Sequence, residues 1–378
     1  MYHVKTMNKI SKIGLAELDD RFAISDTMEH EDAILVRSAK LHDYDFPAEL
    51  KCIARAGAGV NNIPLDRAAD AGIVVFNAPG ANANGVKELT IAALLLASRK
   101  ISQGITWVKE QSAAGADVAA VVEKGKAAYV GPEIMGKTLG VVGLGAIGVL
   151  VANAAAALGM KIVGYDPFLS VTHALNLTPG VEVVDTLPEL YAKADYISLH
   201  LPMNDATRGT LNEAAFAAMK DGVRIVNLAR GELVDTPALK AALDSGKCAA
   251  YVTDFPNSET AAMEGVVAIP HLGASTPESE DNCAMMAARE VKDYLDNGSI
   301  INSVNLPNLT MAWAAKTRVC VISKGADAAA IAGAVPAVAS ASNTRGEYAY
   351  TILDTDAAVD EAAIAAIPGV LRVRVLTQ

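Results

Sequence analysis

Short apolar runs alternate with longer stretches of helical spacing along the first hundred residues. The runs AILVRS, KCIARAG and GIVVFNAPG are rich in β-branched residues, and each ends in polar or glycine-rich residues. The stretch VKELTIAALLLASRK, residues 86–100, instead repeats its apolar positions at helical spacing. This pattern predicts parallel strands whose carboxyl ends carry loops, which is where open α/β sheets bind ligands.

A second alternating series begins at Lys137. It contains TLGVVGLG, KIVGYDP, DYISLHLP, VRIVNLARG and AAYVTDFP, separated by stretches of helical spacing. Such a succession is typical of a doubly wound sheet. An apolar helix around residues 284–295 can return the chain to the first lobe. We therefore expect two lobes, the second inserted in the first, with a cleft between them.

The chain changes character after Pro307 and Asn308. Residues 317–378 read as strand, helix, strand, helix and strand, and a further strand near residues 337–341 would complete a βαββαβ unit. The predicted fold is α/β, with a flavodoxin-like parallel-sheet lobe, an inserted Rossmann lobe and a small ferredoxin-like α+β domain. The expected limits are 1–95 with 275–308, then 96–274, and finally 316–378.

Composition narrows the range of partners. The net charge of -11 argues against nucleic acid and anionic membranes as partners, so a small anion would need a local cationic cleft. The four cysteines lack metal-binding spacing, and no metal site is expected. No secretory signal or membrane-spanning run is evident, so we expect a soluble, cytoplasmic protein with reduced thiols.

A dinucleotide site is predicted at the start of the second series. Gly143, Gly145 and Gly148 form a G-x-G-x-x-G between a strand and an Ala-rich helical stretch, where glycines permit close approach of a pyrophosphate. Asp166 lies 18 residues after the last glycine, close to the position of the acid that binds both ribose hydroxyls. A carboxylate there favours NAD over NADP. The alternative is a turn residue before Pro167.

Three further residues are candidates for catalysis. Arg230 follows the strand VRIVNLA, and its guanidinium can hold a planar carboxylate through two hydrogen bonds. His271, in IPHLGAST, can remove a hydroxyl proton as hydride leaves. Glu259 lies upstream and can fix the imidazole tautomer. Taken singly, each is more often a surface charge, a loop acid or a packing residue, and only their joint placement after a dinucleotide motif favours catalysis.

The motifs resemble the D-2-hydroxyacid dehydrogenase family, and within it the enzymes that oxidise 3-phosphoglycerate at the start of serine synthesis. The matching stretches are RAGAGVNNI, FNAPGANANGVKEL, GKTLGVVGLGAIG, GYDP, NLARGELVD, DFPNSE and PHLGAST, over roughly residues 35–305. Two departures concern Glu259: the strand before it reads YVTDF, where the family usually has ALDVF, and the loop between it and His271 is short.

The resemblance implies roles for individual residues. Arg230, Glu259 and His271 match the catalytic set. The residues that match the NAD site are Gly143, Gly145, Ala146, Ile147, Gly148, Asp166, Pro167, His200, Pro202, Thr207, Ala229, Arg230, Asp254 and His271. Arg37 and Arg55 match phosphate and substrate contacts, the backbone of Ala56 and Gly57 would meet the carboxylate, and Lys87 would assist.

The resemblance therefore implies oxidation of 3-phosphoglycerate with NAD by a homodimer or homotetramer. The alternatives are the same chemistry on glyoxylate, hydroxypyruvate or D-lactate, or a non-catalytic scaffold that senses NAD. Residues 316–378 resemble a small ACT domain, although SKGADAA replaces the usual turn after its first strand. Both a serine-sensing and a purely dimerising role remain open for this domain, and the favoured direction of the reaction is open too.

Overall fold

The structure, a computed structural model, describes residues 1–378. The chain divides into two compact units. The first comprises Met1–Asn82 with Pro277–Gln378, and the second comprises Ala83–Thr276. No helix combines the length and the apolar character that crossing a membrane requires.

The N-terminal part of the first unit is a five-stranded parallel sheet. Its elements are β1 (Tyr2–Met7), α1 (Lys12–Leu15), β2 (Phe22–Ser25), β3 (Ala33–Val36), β4 (Cys52–Arg55), α2 (Leu65–Asp70) and β5 (Val74–Asn77). The strand order is β2-β1-β3-β4-β5. Every residue of β3 is buried, because a central strand of a parallel sheet is covered on both faces. The predicted strands with loops at their carboxyl ends are confirmed.

The second unit is built around a seven-stranded parallel sheet. Its elements are α3 (Ala83–Ser98), α4 (Ile101–Ala113), α5 (Val118–Gly125), β6 (Thr138–Val142), α6 (Ala146–Ala157), β7 (Lys161–Tyr165), α7 (Val171–Leu175), β8 (Glu182–Val183), α8 (Leu187–Lys193), β9 (Tyr196–Leu199), α9 (Glu213–Ala218), β10 (Val223–Asn227), α10 (Thr236–Asp244), β11 (Cys248–Thr253) and β12 (Val266–Ala268). The strand order is β12-β11-β10-β9-β6-β7-β8. The order reverses at β6, and such a switch point opens a crevice at the carboxyl ends of the strands.

Helix α3 marks where the second unit begins. Its residues Ala93, Leu94 and Ala97 are buried in one apolar cluster with Val141 of β6 and Val151 of α6. Because this packing holds the whole helix in the second unit, the chain changes units at Asn82/Ala83. The sequence-based limit at residue 95 instead falls inside the helix.

The C-terminal part of the first unit contains one long helix and an antiparallel sheet. Its elements are α11 (Pro277–Asn297), β13 (Thr317–Lys324), α12 (Ala328–Ala332), β14 (Ala339–Arg345), β15 (Tyr348–Thr355), α13 (Glu361–Ala365) and β16 (Val370–Thr377). The strand order is β14-β15-β13-β16. The topology is βαββαβ, and the strand expected near residues 337–341 is β14.

Both faces of this antiparallel sheet are covered. Side chains such as Val319 and Leu353 pack with Ile331 of α12 and Ile364 of α13. The alternate side chains Cys320, Ile322, Tyr350 and Ile352 belong to the same apolar cluster as Val291 and Tyr294 of α11. The strand alternation therefore supplies two apolar faces, one for its own helices and one for the rest of the first unit.

Side chains of this sheet also complete the end of α11. Arg374 donates to two backbone carbonyls (2.9 and 2.8 Å), Arg318 to a third (2.9 Å) and the Tyr350 hydroxyl to a fourth (2.6 Å). The acceptors are the carbonyl oxygens of Tyr294, Leu295, Asn297 and Gly298. The Tyr294 carbonyl also accepts the Gly298 N–H (3.0 Å), and the Leu295 carbonyl also accepts the Tyr2 hydroxyl (2.9 Å). The last carbonyls of a helix lack partners within the helix, so the sheet supplies the donors for Asn297 and Gly298 and second donors for the other two.

Candidate active site

A glycine turn joins β6 to α6 in the second unit. Gly143 has a φ of +95°, in the left-handed region that favours glycine. A Cβ at Gly148 would overlap the carbonyl oxygen of Gly143, whereas a Cβ at Gly145 would meet no atom within 4 Å. Two glycines are therefore needed by the turn itself, and the third leaves open space at the first turn of α6. This is where a helix N-terminus can receive a pyrophosphate.

Asp166 follows directly after β7 and lies against this turn. Its Oδ2 accepts the N–H of Leu144 (2.9 Å), and its Oδ1 accepts the N–H of Phe168 (2.8 Å). The carboxylate is thus held at the end of the second strand of the dinucleotide motif, with Pro167 exposed beside it. Asp166 both fastens the glycine turn and presents its remaining lone pairs where ribose hydroxyls are expected.

The loop after β9 approaches the same turn. The His200 carbonyl oxygen lies only 2.6 Å from where a Cβ of Gly143 would be. The Nε2 atom of the His200 imidazole shares a hydrogen bond with Ser198 Oγ (2.9 Å), and burial lowers the pKa of His200 to about 4. The imidazole is therefore neutral at physiological pH. Farther along, Thr207 Oγ1 donates to the Pro202 carbonyl (2.6 Å), which fixes the loop.

Asn227, at the end of β10, shapes the loop that carries Arg230. Its side chain is fully buried, and Nδ2 donates to the Arg230 carbonyl (2.8 Å) and to Tyr251 Oη (3.0 Å). Its Oδ1 accepts the N–H groups of Ala229 (3.2 Å) and Arg230 (3.3 Å). Sequence reasoning did not single out Asn227, although a polar residue directly at the end of a buried strand was the available signal.

Phe255 brings two of the three catalytic candidates together. The Arg230 guanidinium carbon lies 5.2 Å from the Phe255 ring centroid, and the His271 ring centroid lies 4.3 Å from it. Cation–π and ring–ring contacts hold both side chains against one aromatic residue. Arg230 Nη1 also donates to the Ala229 carbonyl (2.6 Å). In the sequence, Phe255 stood out only as the last residue of YVTDF, the departure from the usual ALDVF. In the structure it contacts both side chains and so positions Arg230 and His271.

Asp254 presents a buried oxygen without a partner. The side chain is 1% exposed, and Oδ2 accepts the Gly273 N–H (3.0 Å), whereas Oδ1 has no hydrogen-bond partner. Burial raises the pKa of Asp254, with the Gly273 N–H and the nearby His271 acting in the opposite direction. Buried polar atoms are normally paired, so Oδ1 fits a ligand group that donates a hydrogen bond, such as the carboxamide of nicotinamide.

Glu259 does not reach His271. It is exposed, and its N–H donates to Asn257 Oδ1 (3.0 Å), which also accepts the N–H of Thr260 (2.8 Å). No hydrogen bond or ion pair joins the Glu259 carboxylate to His271, whose carbonyl oxygen accepts from Ser275 Oγ (3.2 Å). The hydrogen bond predicted between the two side chains is absent from this structure, because the Asn257 turn directs the loop into a short 3-10 helix, Thr260–Ala262.

A basic cavity lies at the ends of β3 and β4 in the first unit. It has a volume of about 670 Å³ and is lined by Arg37, Ser38, Lys40, His42, Asp43, Arg55, Asn61 and Asn62. Arg55 Nε donates to the Arg37 carbonyl (3.1 Å). The two arginines that the sequence singled out are thus brought together, with Lys40 as a further cation. Lys87 lies in the second unit on α3, where its Nζ is 3.6 Å from Glu88 Oε1.

The backbone after β4 corrects one detail of the predicted substrate site. The N–H of Ala56 donates to the Val36 carbonyl and that of Gly57 to the Arg55 carbonyl, each at 2.8 Å. Neither N–H is available to a substrate carboxylate, whereas those of Ala58 and Gly59 have no acceptor within the chain. Gly57 has another role: its φ is +149°, and a Cβ there would overlap the Arg55 guanidinium.

Comparison with known proteins agrees with this geometry. Residues 91–273 match the family model described as D-isomer specific 2-hydroxyacid dehydrogenase, NAD binding domain. The D-3-phosphoglycerate dehydrogenase of Methanocaldococcus jannaschii is 35% identical over 315 residues, covering 81% of this chain and 58% of that protein. The enzyme of the same name from Bacillus subtilis is 36% identical over 337 residues, covering 84% and 62%.

Solved structures agree as well. The NAD+-bound 3-phosphoglycerate dehydrogenase of Entamoeba histolytica aligns with a TM-score of 0.62 and 26% identity, over 82% of this chain and 99% of that one. This chain spans about three fifths of the length of the two curated relatives. Residues 91–273 thus carry the NAD-binding domain of this group of dehydrogenases, in the part of the chain that holds the glycine turn, Arg230 and His271.

Proposed function

We propose that this chain is an NAD-dependent D-2-hydroxyacid dehydrogenase that oxidises 3-phosphoglycerate to 3-phosphohydroxypyruvate, the first step of serine synthesis. The observation that carries the proposal is the meeting of Arg230 and His271 on Phe255, within the domain that holds the glycine turn. A carboxylate-binding guanidinium beside a proton acceptor is what oxidation of a 2-hydroxy acid requires.

The cofactor contacts follow from the residues around the glycine turn. The open backbone at Gly145 and the start of α6 bind the pyrophosphate, and Asp166 accepts hydrogen bonds from the adenosine ribose. The unpaired Oδ1 of Asp254 accepts a hydrogen bond from the carboxamide. Because a carboxylate at residue 166 repels a 2′-phosphate, NAD is preferred to NADP.

The chemistry is divided among three side chains. His271 accepts the C2 hydroxyl proton, and NAD, when bound, supplies the acceptor for the hydride. Arg230 binds the substrate carboxylate through two parallel hydrogen bonds and so orients C2. Glu259 stabilises the resulting imidazolium, which requires its side chain to move, because its carboxylate does not reach His271 in the free chain.

The basic cavity of the first unit supports a phosphorylated substrate over glyoxylate, hydroxypyruvate or D-lactate. Arg37 and Arg55 bind the phosphate, and the free N–H groups of Ala58 and Gly59 bind the substrate carboxylate. An acidic protein with an anionic substrate must concentrate cations where the anion binds. A substrate without a phosphate has no second anionic group to bind the cations of this cavity.

Three further features belong to the proposal. The βαββαβ topology of residues 316–378 supports an ACT-like domain, for which serine binding and a purely dimerising role are both retained. Helices α4 and α5 bury none of their residues and expose Ile101, Ile105 and Val108 on one face of α4. An apolar face of this kind supports a homo-oligomer. Four buried, unpaired cysteines support a cytoplasmic location.

The test is the absorbance of NADH formed from NAD and a panel of D-2-hydroxy acids. We expect the highest kcat/KM for 3-phosphoglycerate, and lower values for D-glycerate and D-lactate. The His271→Ala variant is expected to lower kcat by about 10² to 10⁴, because it removes the proton acceptor. His173→Ala, on α7, is the matched control and should leave kcat unchanged.

The same assay separates the alternatives. Turnover of His271→Ala near that of the wild type would contradict the catalytic role. Binding of NAD without turnover of any acid in the panel would favour the sensing scaffold. Equal kcat/KM for D-glycerate and 3-phosphoglycerate would remove the phosphorylated substrate from the proposal.

A further inference from the structure

Arg37 already has an anionic partner within the chain. Its Nη2 donates to Glu280 Oε1 at 2.6 Å, and the two side chains are 41% and 45% exposed. Glu280 lies near the start of α11, which anchors it to the first unit. Glu278 lies on the same turn, is exposed and makes no ion pair. The Arg37–Glu280 pair is therefore a specific contact of one of two neighbouring acids.

One member of this ion pair, Arg37, lines the basic cavity. Arg37, Lys40 and Arg55 line that cavity, and Arg37 is one of the two guanidinium groups that the proposed function assigns to the substrate phosphate. A carboxylate 2.6 Å away occupies a donor that the phosphate needs. Each N–H of a guanidinium makes one short, charge-assisted bond, so the N–H that donates to Glu280 is not available to a phosphate while the ion pair is closed. A phosphate that takes this donor therefore displaces Glu280 from Nη2.

We propose that Glu280 is an internal competitor that sets the affinity of the basic cavity for phosphate. The proposal rests on the proposed function, because it takes Arg37 as a phosphate contact. Binding of a phosphate monoester breaks the Arg37–Glu280 pair and forms an Arg37–phosphate pair in its place, and release of the product restores the original pair. Glu280 thus weakens substrate and product binding without touching C2.

The consequence differs between classes of substrate. A phosphorylated acid binds only when the Arg37–Glu280 pair opens, so the free energy of breaking that pair weakens its binding. A 2-hydroxy acid without the phosphate leaves the pair closed and is not affected. Exposed ion pairs of this kind shift an equilibrium constant by about 1.4- to 5-fold. Glu280 therefore lowers the selectivity for phosphorylated over unphosphorylated acids by that factor.

The experiment compares Glu280→Gln with Glu278→Gln in the 378-residue chain. The first variant removes the partner of Arg37, and the second removes the same charge from the same helical turn without breaking an ion pair. Isothermal titration with inorganic phosphate should give a Kd about 1.4- to 5-fold lower for Glu280→Gln than for the wild type. Glu278→Gln should bind phosphate as the wild type does.

Steady-state kinetics supply the second measurement. In Glu280→Gln, the KM for 3-phosphoglycerate should fall by the factor by which the phosphate Kd falls, while the KM for D-glycerate stays unchanged. Added salt should narrow the difference between variant and wild type, because it screens the ion pair. Thermal unfolding of all variants confirms that they are folded.

Several results would overturn the proposal. Unchanged or weaker phosphate binding by Glu280→Gln would show that Glu280 does not compete for Arg37. If both Gln variants bound phosphate more tightly by the same factor, the cause would be the loss of a negative charge near the start of α11 and not the loss of the ion pair. Arg37→Gln distinguishes the failure of this proposal from the failure of the proposed function. If Arg37→Gln leaves phosphate binding intact, Arg37 is not a phosphate contact and both proposals fail. If Arg37→Gln abolishes phosphate binding but Glu280→Gln has no effect, only the competing role of Glu280 is rejected.

Discussion

Glu290 is a carboxylic acid enclosed within the first unit. The residue is 8% exposed, Oε1 accepts a hydrogen bond from Asn302 Nδ2 (2.8 Å), and Oε2 has no partner. Burial raises the pKa of Glu290 to about 8, and the Asn302 hydrogen bond opposes this shift only in part. At neutral pH the folded protein therefore holds a proton on this side chain that the unfolded chain releases.

This difference makes stability depend on pH in a stated direction. The pKa of Glu290 is higher in the folded than in the unfolded protein. Its contribution to the free energy of unfolding is therefore fully present below about pH 4.5 and is lost as the pH rises towards 8. Glu290→Gln removes the titration, so its free energy of unfolding should exceed that of the wild type by about 2–4 kcal/mol more at pH 8 than at pH 5. Urea unfolding at both pH values measures the difference.

The control for this prediction is Glu110→Gln, which alters an exposed acid on α4. It should change the free energy of unfolding equally at the two pH values. A Glu290→Gln protein that tracks the wild type across this range would show that the buried acid is ionised in the folded state.

Individual site residues differ in how far the sequence predicts them. Gly148 and Asp166 make their contacts within one strand–turn–helix segment and the next strand, where spacing along the chain is enough to predict positions. The missing bond between Glu259 and His271 was not predictable, because it depends on the turn that Asn257 imposes on the intervening loop. Glu280 was missed because a residue far along the chain folds back onto Arg37.

At the scale of elements, α11 depends on a partner that is distant in sequence. Arg374 of β16 is buried and donates to the Tyr294 and Leu295 carbonyls 80 and 79 residues away. The strands of the C-terminal sheet were predictable from their alternation, and β14 was predicted from the gap it fills. The packing of that sheet on α11 was not predictable from the sequence. Alternation of apolar residues predicts two apolar faces, but it does not indicate which elements cover each face.

Removing one of these helix-completing side chains tests the dependence. Arg374→Met deletes two hydrogen bonds from a buried, charged donor, so it should lower the free energy of unfolding by about 2–4 kcal/mol. Arg372→Met is the matched control on the same strand. Arg372 makes one long bond to the Ala71 carbonyl (3.3 Å) and its Nε is unpaired, so its loss should cost less than about 1 kcal/mol. Equal losses in urea unfolding would contradict this account.

At the scale of the whole molecule, the exposed face of α4 leads to a test of assembly. Ile105 is 53% exposed and lies one helical turn from Ile101 and Val108. If this face is covered by a second copy, Ile105→Glu buries a charge in that interface and should halve the mass measured by light scattering after gel filtration. Leu158→Glu places the same charge at another exposed apolar residue and should leave the mass unchanged. A wild-type mass equal to one chain would contradict the assembly.

The completion of α11 by the C-terminal sheet has a practical consequence for anyone who shortens this protein. A truncation before residue 316 would remove the donors to the Asn297 and Gly298 carbonyls and uncover the apolar cluster that Tyr294 shares with Tyr350. The product would then be an unstable, aggregation-prone fragment rather than a desensitised enzyme. Point substitutions on the outer helices α12 and α13 are the safer way to ask whether this domain carries a regulatory signal.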